Sequence, residues 1–163
     1  MKESKAYFAS GCFWGTQYYF QKQHGVTKTT VGYSGGDVKN PKYEEVCNGK
    51  TGHVETVEVV FNPRIVSFEQ LAKIFFETHD PTQKGGQGPD IGDQYRSVVF
   101  YLDEEQRKIA YELVLQLKNK GLDIATSIEQ FKNFYPAEDY HQKYYKKTGG
   151  NPYCHRYVKR FDS

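Results

Sequence analysis

The sequence predicts an α+β fold, a two-layer α/β sandwich with a ferredoxin-like core. Runs rich in β-branched and aromatic residues alternate with helix-like runs in the order β-α-β-β-α-β, with one extra helix. Two of the helix-like runs open with a capping pattern, which separates them clearly from the strands. A length of 163 residues is sufficient for one core without metal or disulfide support. We therefore expect residues 1–163 to form a single domain.

The first half of the chain contains three predicted strands and one helix. Gly25 is expected to end the helix, and Asn62-Pro63 to end the third strand. Ser34-Gly35-Gly36 marks the start of a loop. The predicted order is strand 5–10, helix 13–24, strand 27–33, a polar loop to about residue 52, and strand 54–61.

The second half contains two further helices and two strands. Ser67 with Gln70 reads as a capping box, and Asp103 with Gln106 caps the next helix, which Gly121 ends. The predicted order is a helix from 67, a loop at 80–94, strand 97–102, helix 103–121, strand 125–131, and mixed short helix and loop from 137. The 80–94 loop is long and rich in glycine and proline, which is typical of functional loops.

Composition and charge exclude several classes of protein. The net charge is +2 with an ordinary charged fraction, which does not indicate nucleic acid or a membrane surface as partner. Charged residues near the start interrupt any signal-like run, and no stretch approaches membrane-span length. Three widely spaced cysteines do not form a secreted disulfide framework. We expect a cytoplasmic, monomeric protein whose cysteines are reduced or used in catalysis.

The most informative segment is Gly11-Cys12-Phe13-Trp14-Gly15, which joins the first strand to the first helix. A thiol at a helix N-terminus meets the positive end of the helix dipole and unpaired backbone N–H groups. This position lowers a thiol's pKa and favours the reactive thiolate. The aromatic residues Phe13 and Trp14 offer a wall for a small, partly apolar group. The alternative is a buried and inert cysteine.

Glu55 is the second candidate for chemistry. Side chains alternate faces along a strand, and Glu55 shares its face with Val57, Val59 and Phe61. A carboxyl on this apolar face has a raised pKa and can act as a general acid. The alternative is a strand-end glutamate that reaches water.

Three loop residues could assist an acid of this kind. Tyr43 and Tyr95 can donate phenolic hydrogen bonds to an oxygen while remaining neutral. Asp90, in the glycine-rich loop, could order a tyrosine and a water or could be a turn residue. With 14 tyrosines in the chain, packing is the alternative role for either phenol.

The other cysteines differ in context. Cys154 lies near the C-terminus, where a mobile tail could reach Cys12 and form a transient disulfide; the alternative is a tail cysteine packed on the core. The neighbouring His155, with Arg156 and Lys159, is expected to favour its thiolate by positive charge. Cys47 follows two acidic residues, which are expected to disfavour its thiolate, and we interpret it as structural.

Other chemistries find less support. The chain lacks the Cys-x-x-Cys and His-Glu-x-x-His patterns of metal sites. A histidine could pair with Cys12 as in acyl-transfer enzymes, and the candidates by identity alone are His24, His53, His79, His141 and His155.

Many blocks of the sequence together resemble the A-type peptide methionine sulfoxide reductases. The resemblance covers nearly the whole chain, in order and with compatible spacing. Besides the Cys12 segment, its blocks are Val31-Gly32-Tyr33-Ser34-Gly35-Gly36, Asn40-Pro41-Lys42-Tyr43, Glu44-Glu45-Val46-Cys47, Gly52-His53-Val54-Glu55, His79-Asp80-Pro81-Thr82-Gln83, Gly88-Pro89-Asp90-Ile91-Gly92, Gln94-Tyr95-Arg96-Ser97 and Ala137-Glu138-Asp139-Tyr140-His141-Gln142.

The resemblance implies an oxidoreductase that reduces the S-epimer of methionine sulfoxide, free or in proteins, and so repairs oxidised proteins. It implies thiol chemistry without metal or organic cofactor, thioredoxin as the reductant, and a largely coiled C-terminal tail.

Residue roles are also implied by position. Cys12 matches the nucleophile, and Glu55 the acid that protonates the sulfoxide oxygen. Tyr43 and Tyr95 match the phenols that bind this oxygen. The remaining matches are Phe13 and Trp14 as the methyl pocket, Asp90 as an acid that helps to order it, and Cys154 as the resolving cysteine.

Two departures from the family pattern stand out. Lys84-Gly85-Gly86 replaces a Leu-Asn-Arg segment, and the tail has one cysteine where many members have two. The competing hypotheses are a cysteine-dependent hydrolase or transferase, which would form an acyl-enzyme, and a non-catalytic methionine-binding module.

Overall fold

A six-stranded sheet forms the centre of the fold. The structure is a computed structural model that describes residues 3–48, 51–150, 152 and 155–161. Its strands are β1 Ser4–Ser10, β2 Val26–Ser34, β3 Val54–Phe61, β4 Gly86–Gln87, β5 Asp90–Ile91, β6 Ser97–Tyr101, β7 Ser127–Gln130 and β8 Tyr135–Pro136. Its α-helices are α1 Phe13–Phe20, α2 Tyr43–Cys47, α3 Phe68–Glu77, α4 Glu104–Asn119 and α5 Tyr144–Thr148.

The strand order is β7-β6-β1-β3-β2-β8, and β4 and β5 form a separate hairpin. β3 lies antiparallel between β1 and β2, and β6 pairs antiparallel with β1. β1 and β2 therefore run in the same direction, as in a split β-α-β unit. β7 adds to the edge in parallel with β6. The predicted ferredoxin-like α+β fold is confirmed.

The helices pack on one face of the sheet. Phe8, Val57 and Val99 project from the strands into one buried cluster with residues of α1, α3 and α4. The alternation of side chains sends Tyr7 and Phe100 to the opposite face, where the coil at 131–134 covers them. The main core thus lies between the sheet and the helices, as expected for a two-layer sandwich.

Both predicted helix caps are present. The Ser67 hydroxyl accepts a hydrogen bond from the backbone amide of Gln70. The side-chain oxygen of Gln70 in turn accepts one from the backbone amide of Ser67. Asp103 accepts from the Gln106 amide at the start of α4. Among the described residues, no helix combines the length and apolar character needed to cross a membrane.

Helix α1 is shorter than predicted, because it ends at Phe20 and not near residue 24. The chain reverses over residues 21–25 to enter β2, and Gly25 closes this turn with a φ of 98°. A Cβ at Gly25 would crowd Val66, so the turn packs tightly against the loop before α3. Two loops also contain structure that their polar composition did not predict: α2, and the β4–β5 hairpin within 80–94.

Candidate active site

Cys12 lies where β1 passes into α1. Gly11 adopts a φ of 92°, which turns the chain out of the strand. Cys12 is the N-cap of α1, and its carbonyl accepts hydrogen bonds from the amides of Gly15 (3.1 Å) and Thr16 (3.3 Å). Only 6% of Cys12 is exposed. The residue therefore occupies the helix N-terminus that the sequence predicted.

Glu55 reaches the same helix end from β3. Its Oε1 accepts a hydrogen bond of 3.1 Å from the Phe13 amide, the residue after Cys12. Only 1% of Glu55 is exposed, so a strand-end glutamate in water is excluded. Its Oε2 is buried and has no hydrogen-bond partner among the described residues.

The environment of Glu55 favours its neutral form. Burial raises the pKa of Glu55 from an ordinary 4.5 to about 8, against the hydrogen bond from Phe13, which lowers it. The nearby charge of Asp90 contributes to the same increase in pKa. Glu55 therefore still holds its proton at neutral pH. Its carboxyl, with one oxygen that lacks a hydrogen-bond partner among the described residues, lies at the helix end that Cys12 caps.

Two phenols border the carboxyl of Glu55. Burial, and then the charge of Glu55, raise the pKa of both Tyr43 and Tyr95, so both hydroxyls keep their protons. A hydrogen bond joins the side chains of Tyr43 and Tyr95. Both phenols were predicted site residues, and the fold brings them from α2 and from the turn after β5 to the same carboxyl.

Asp90 reaches the site through the β4–β5 hairpin. It is half-buried, and its charge raises the pKa of Glu55 and of Tyr95. The hairpin packs closely on the Cys12 turn, because a Cβ at Gly11 would overlap the side chain of Gln87. The long 80–94 loop thus contributes to the site, as its length suggested.

Aromatic rings form a wall next to Cys12. Phe13 is fully buried, and its ring lies 5.6 Å from that of Tyr33 and 6.4 Å from that of Tyr43. Trp14 is half-buried and stacks on Tyr144 at 3.8 Å with an angle of 9° between the rings. Tyr33 and Tyr144 belong to this wall, although sequence analysis assigned neither of them a role.

His141 holds Trp14 in place, a function that its sequence context did not reveal. The Trp14 indole N–H donates to Nδ1 of His141 at 3.1 Å, so the proton of this neutral ring is on Nε2. His141 is 1% exposed, and burial lowers its pKa. Sequence analysis offered two weak signals for His141: its place in the Tyr140-His141-Gln142 block, and its presence among the five histidines that could pair with Cys12.

Cys47 borders the site, although the sequence suggested a structural residue. Its side chain is exposed at the end of α2, and a hydrogen bond joins its sulfur to the Tyr43 hydroxyl. Partial burial raises the pKa of Cys47, and the charge of Glu55 acts in the same direction. The expected disfavouring of the thiolate is present, but it comes from burial and Glu55 and not from the adjacent acids.

Cys154 lies outside the described residues, whereas His155 after it is described. The expectation that His155 supplies positive charge to Cys154 is wrong. His155 is 4% exposed, and burial lowers its pKa to about 4, so the ring is neutral at physiological pH. Within the described parts of the chain, no three His, Cys, Asp or Glu side chains are grouped so that they could hold a metal ion.

Comparisons with known proteins agree with one another. A family model described as peptide methionine sulfoxide reductase matches residues 4–163. A relative from Nautilia profundicola, a peptide methionine sulfoxide reductase MsrA, is 49% identical over 150 residues, which cover 92% of this chain and 87% of the relative.

Solved structures of Mxr1 from Saccharomyces cerevisiae share the fold. The reduced form has a TM-score of 0.90 at 36% identity and covers 98% of this chain and 93% of that chain. The complex of Mxr1 with Trx2 has a TM-score of 0.65 at 26% identity and covers 96% of this chain and 90% of that chain.

Proposed function

The chain belongs to the peptide methionine sulfoxide reductase family, and from this premise we propose that residues 1–163 form one reductase domain with its active centre at Cys12. The enzyme reduces methionine sulfoxide to methionine. Its substrate is the S-epimer, free or in oxidised proteins, and it works as a monomer in the cytoplasm. The observation that supports the assignment of the site is the hydrogen bond from the Phe13 amide to Glu55, which joins a buried carboxyl to the residue that follows Cys12.

The enzyme holds two groups on the sulfoxide sulfur of the substrate, the methyl group and the oxygen. The methyl group of the sulfoxide rests on Phe13 and Trp14, which are held by the rings around them. The sulfoxide oxygen accepts hydrogen bonds from Tyr43, Tyr95 and Glu55, whose hydroxyl and carboxyl protons are retained at neutral pH. Asp90 helps to order this group. Fixing the oxygen on one side and the methyl on the other distinguishes the two epimers.

The first chemical step joins the sulfur of Cys12 to the sulfoxide sulfur. The thiolate, stabilised by the α1 N-terminus, attacks while Glu55 transfers its proton to the oxygen. This protonation converts a poor leaving group into a hydroxyl. The hydroxyl then passes from the substrate sulfur to the Cys12 sulfur as the bond between the two sulfurs breaks. Methionine leaves and a sulfenic acid remains on Cys12, so the substrate sulfur is reduced and the Cys12 sulfur is oxidised.

The second step regenerates the thiol. The Cys154 thiol attacks the sulfenic acid, a disulfide forms, and the hydroxyl leaves with the thiol proton as water. Thioredoxin then reduces the disulfide by thiol–disulfide exchange. The solved complex of Mxr1 with Trx2, from a relative that shares the fold, supports a thioredoxin as the reductant.

Mass spectrometry after mixing the enzyme with a methionine sulfoxide peptide, without reductant, tests the assignment. We expect a loss of two hydrogens and a Cys12–Cys154 linkage on peptide mapping. A linkage of Cys12 to Cys47 would refute Cys154 as the resolving residue. An added acyl mass would identify a hydrolase or transferase, and an unchanged mass would identify a binding module.

A further inference from the structure

Two glutamine side chains tie together the loop that carries Asp90. The side-chain oxygen of Gln87 accepts a hydrogen bond of 2.6 Å from the backbone amide of Asp80, and its side-chain nitrogen donates one of 2.8 Å to the Asp80 carbonyl. Gln83 binds the backbone amide (2.7 Å) and carbonyl (3.1 Å) of Gly88 in the same way. The two bridges interlock in sequence, since each glutamine lies within the span that the other one closes.

The two glutamines differ in their surroundings. Gln87 is 2% exposed, and a Cβ at Gly11 would overlap its Cβ, so the stem of Gln87 packs directly against the turn that leads to Cys12. Gln83 is only half-buried, and its two hydrogen bonds lie at the surface. Gln87 therefore joins the loop to the Cys12 turn, whereas Gln83 joins two parts of the loop to each other.

Gln87 is also the direct partner of Asp90 in the hairpin. The two residues pair across β4 and β5, and Gly88-Pro89 connects them. The hairpin is tightly built, because a Cβ at Gly86 would overlap the carbonyl oxygen of Asp90. A displacement of β4 is therefore transmitted to Asp90.

Packing gives little support to the outer part of this loop. Lys84 and Gly85 are exposed, and a Cβ at Gly85 would meet no other atom within 4 Å. The Gly92 amide donates to the Gly85 carbonyl at 2.9 Å, which closes the open end of the hairpin but joins two residues of the same loop. Glycine adds backbone freedom here. The contacts of Gln87 therefore limit the positions that the hairpin can take against the rest of the protein.

We propose that Gln87 is a positioning residue for the reduction step: its side-chain amide fixes the β4–β5 hairpin against the Cys12 turn and so holds Asp90 near Glu55. This inference rests on the proposed roles of Glu55 as the acid and of Asp90 as the carboxylate that helps to order the site. Gln87 acts through Asp90, so it is assigned no contact with the substrate. A carboxylate near Glu55 favours the protonated acid that the reduction step needs.

Asp90 is one of several titratable groups around Glu55. Burial is the main cause of the raised pKa of Glu55; the Phe13 amide lowers this pKa, and the charge of Asp90 raises it. Cys12 lies at the same helix end. Further groups that interact electrostatically with Glu55 are Tyr33, Tyr43, Tyr95 and Cys47, all of which have raised pKa values. These four groups are neutral near pH 7, so a displacement of Asp90 moves a negative charge that they do not replace.

Gln87→Met tests the proposal, because Met keeps the stem that packs on Gly11 but has no amide. Methionine formation is measured in a single turnover from about pH 6 to about pH 10. We expect a rate about tenfold lower at about pH 7, since small displacements of groups in an active site have effects of this size. We also expect the alkaline fall in rate to begin at a lower pH, because a displaced Asp90 raises the pKa of Glu55 less. A wild-type rate, or a lower rate with an unshifted fall, would overturn the proposal.

Gln83→Met is the matched control, since it removes the same kind of two-bond contact from the same loop. We expect its rate and pH profile to match those of the wild type. The same shift in both variants would overturn the proposal, because general loosening of the loop would then be the cause. If Gln87→Met does not fold, Gln87→Asn replaces it. Its amide is one methylene too short to reach Asp80, so the same shift is expected, and an unshifted fall would overturn the proposal.

A double-mutant cycle with Asp90→Asn tests whether Gln87 acts through Asp90. Asp90→Asn should itself move the alkaline fall to a lower pH, and the addition of Gln87→Met should move it no further. Additive shifts would overturn the proposal. The two proposals fail in distinguishable ways. An unshifted fall in Asp90→Asn would contradict the proposed role of Asp90 and overturn this inference with it, whereas a shift in Asp90→Asn without one in Gln87→Met would overturn the positioning role alone.

Discussion

We predict that the protonated state of Glu55 makes the reduction step sensitive to alkaline pH. Burial raises the pKa of this carboxyl from 4.5 to about 8, which disfavours the charged form by on the order of 5 kcal/mol. About nine-tenths of the enzyme therefore holds the proton at pH 7. The rate of methionine formation should fall as the pH rises through about 8, because ionised Glu55 cannot protonate the sulfoxide oxygen.

Glu55→Gln removes the transferable proton but retains a hydrogen-bond donor. A general acid typically contributes about 100-fold to 10,000-fold in rate, so we expect Glu55→Gln to slow the step about 100-fold and Glu55→Ala to slow it further. The alkaline fall assigned to Glu55 should also be missing from the Glu55→Gln profile. The Phe13 amide can still donate to the new amide oxygen, so the Cys12 turn should keep its geometry.

The assay is rapid-quench measurement of methionine in one turnover, between about pH 6 and about pH 10. Glu58→Gln is the control, since Glu58 is on the same strand and hydrogen-bonds to Tyr7 on the opposite face of the sheet. Its rate and pH profile should match those of the wild type. A wild-type rate in Glu55→Gln, or the same alkaline fall in that variant, would refute the assignment of Glu55 as the acid.

The remaining predictions concern the two thiols, the aromatic wall and stability. Cys12→Ser should form no methionine, and substantial product would refute its role as nucleophile. Cys154→Ser should form about one methionine per enzyme and then fail to turn over with thioredoxin; sustained turnover would refute its role. Trp14→Phe leaves the buried Nδ1 of His141 without its donor, and steady-state kinetics should show a KM roughly tenfold higher; an unchanged KM would contradict this. Because the folded-state pKa of Glu55 is raised, its contribution to stability is present below about pH 4.5 and is lost as the pH rises through about 8. Glu55→Gln should therefore be more stable than the wild type at about pH 9 in urea denaturation, and equal stability would contradict the raised pKa.

Local patterns were sufficient to predict most of the fold. The alternation along 54–61 correctly placed Glu55 on the face shared with Val57, because side-chain direction in a strand depends only on parity. The caps at Ser67 and Asp103 depend on residues three positions apart, and both are confirmed. Such features are predictable because each is determined by residues only a few positions apart in the sequence.

The features that sequence analysis missed come from distant contacts. His141 meets Trp14 across 127 positions, and His155 meets Ser10 across 145. Neither pairing leaves a periodic or local signal, so His155 looked like a cationic neighbour of a tail cysteine. The contact of Cys47 with Tyr43 was missed for the same reason, because it depends on how α2 packs and not on the two acids beside Cys47 in sequence.

One junction between a strand and a helix serves two opposite electrostatic needs. The N-terminus of α1 favours negative charge, which suits a thiolate at Cys12. The same field would also favour an ionised Glu55, and the hydrogen bond from Phe13 does lower its pKa. Burial outweighs this effect, because the carboxyl lies on the apolar face of β3 with one oxygen lacking a partner among the described residues. In the proposed site, solvent exclusion thus keeps Glu55 protonated beside the thiolate of Cys12, and the aromatic wall formed by Phe13 and Trp14 helps to exclude the water that would ionise Glu55.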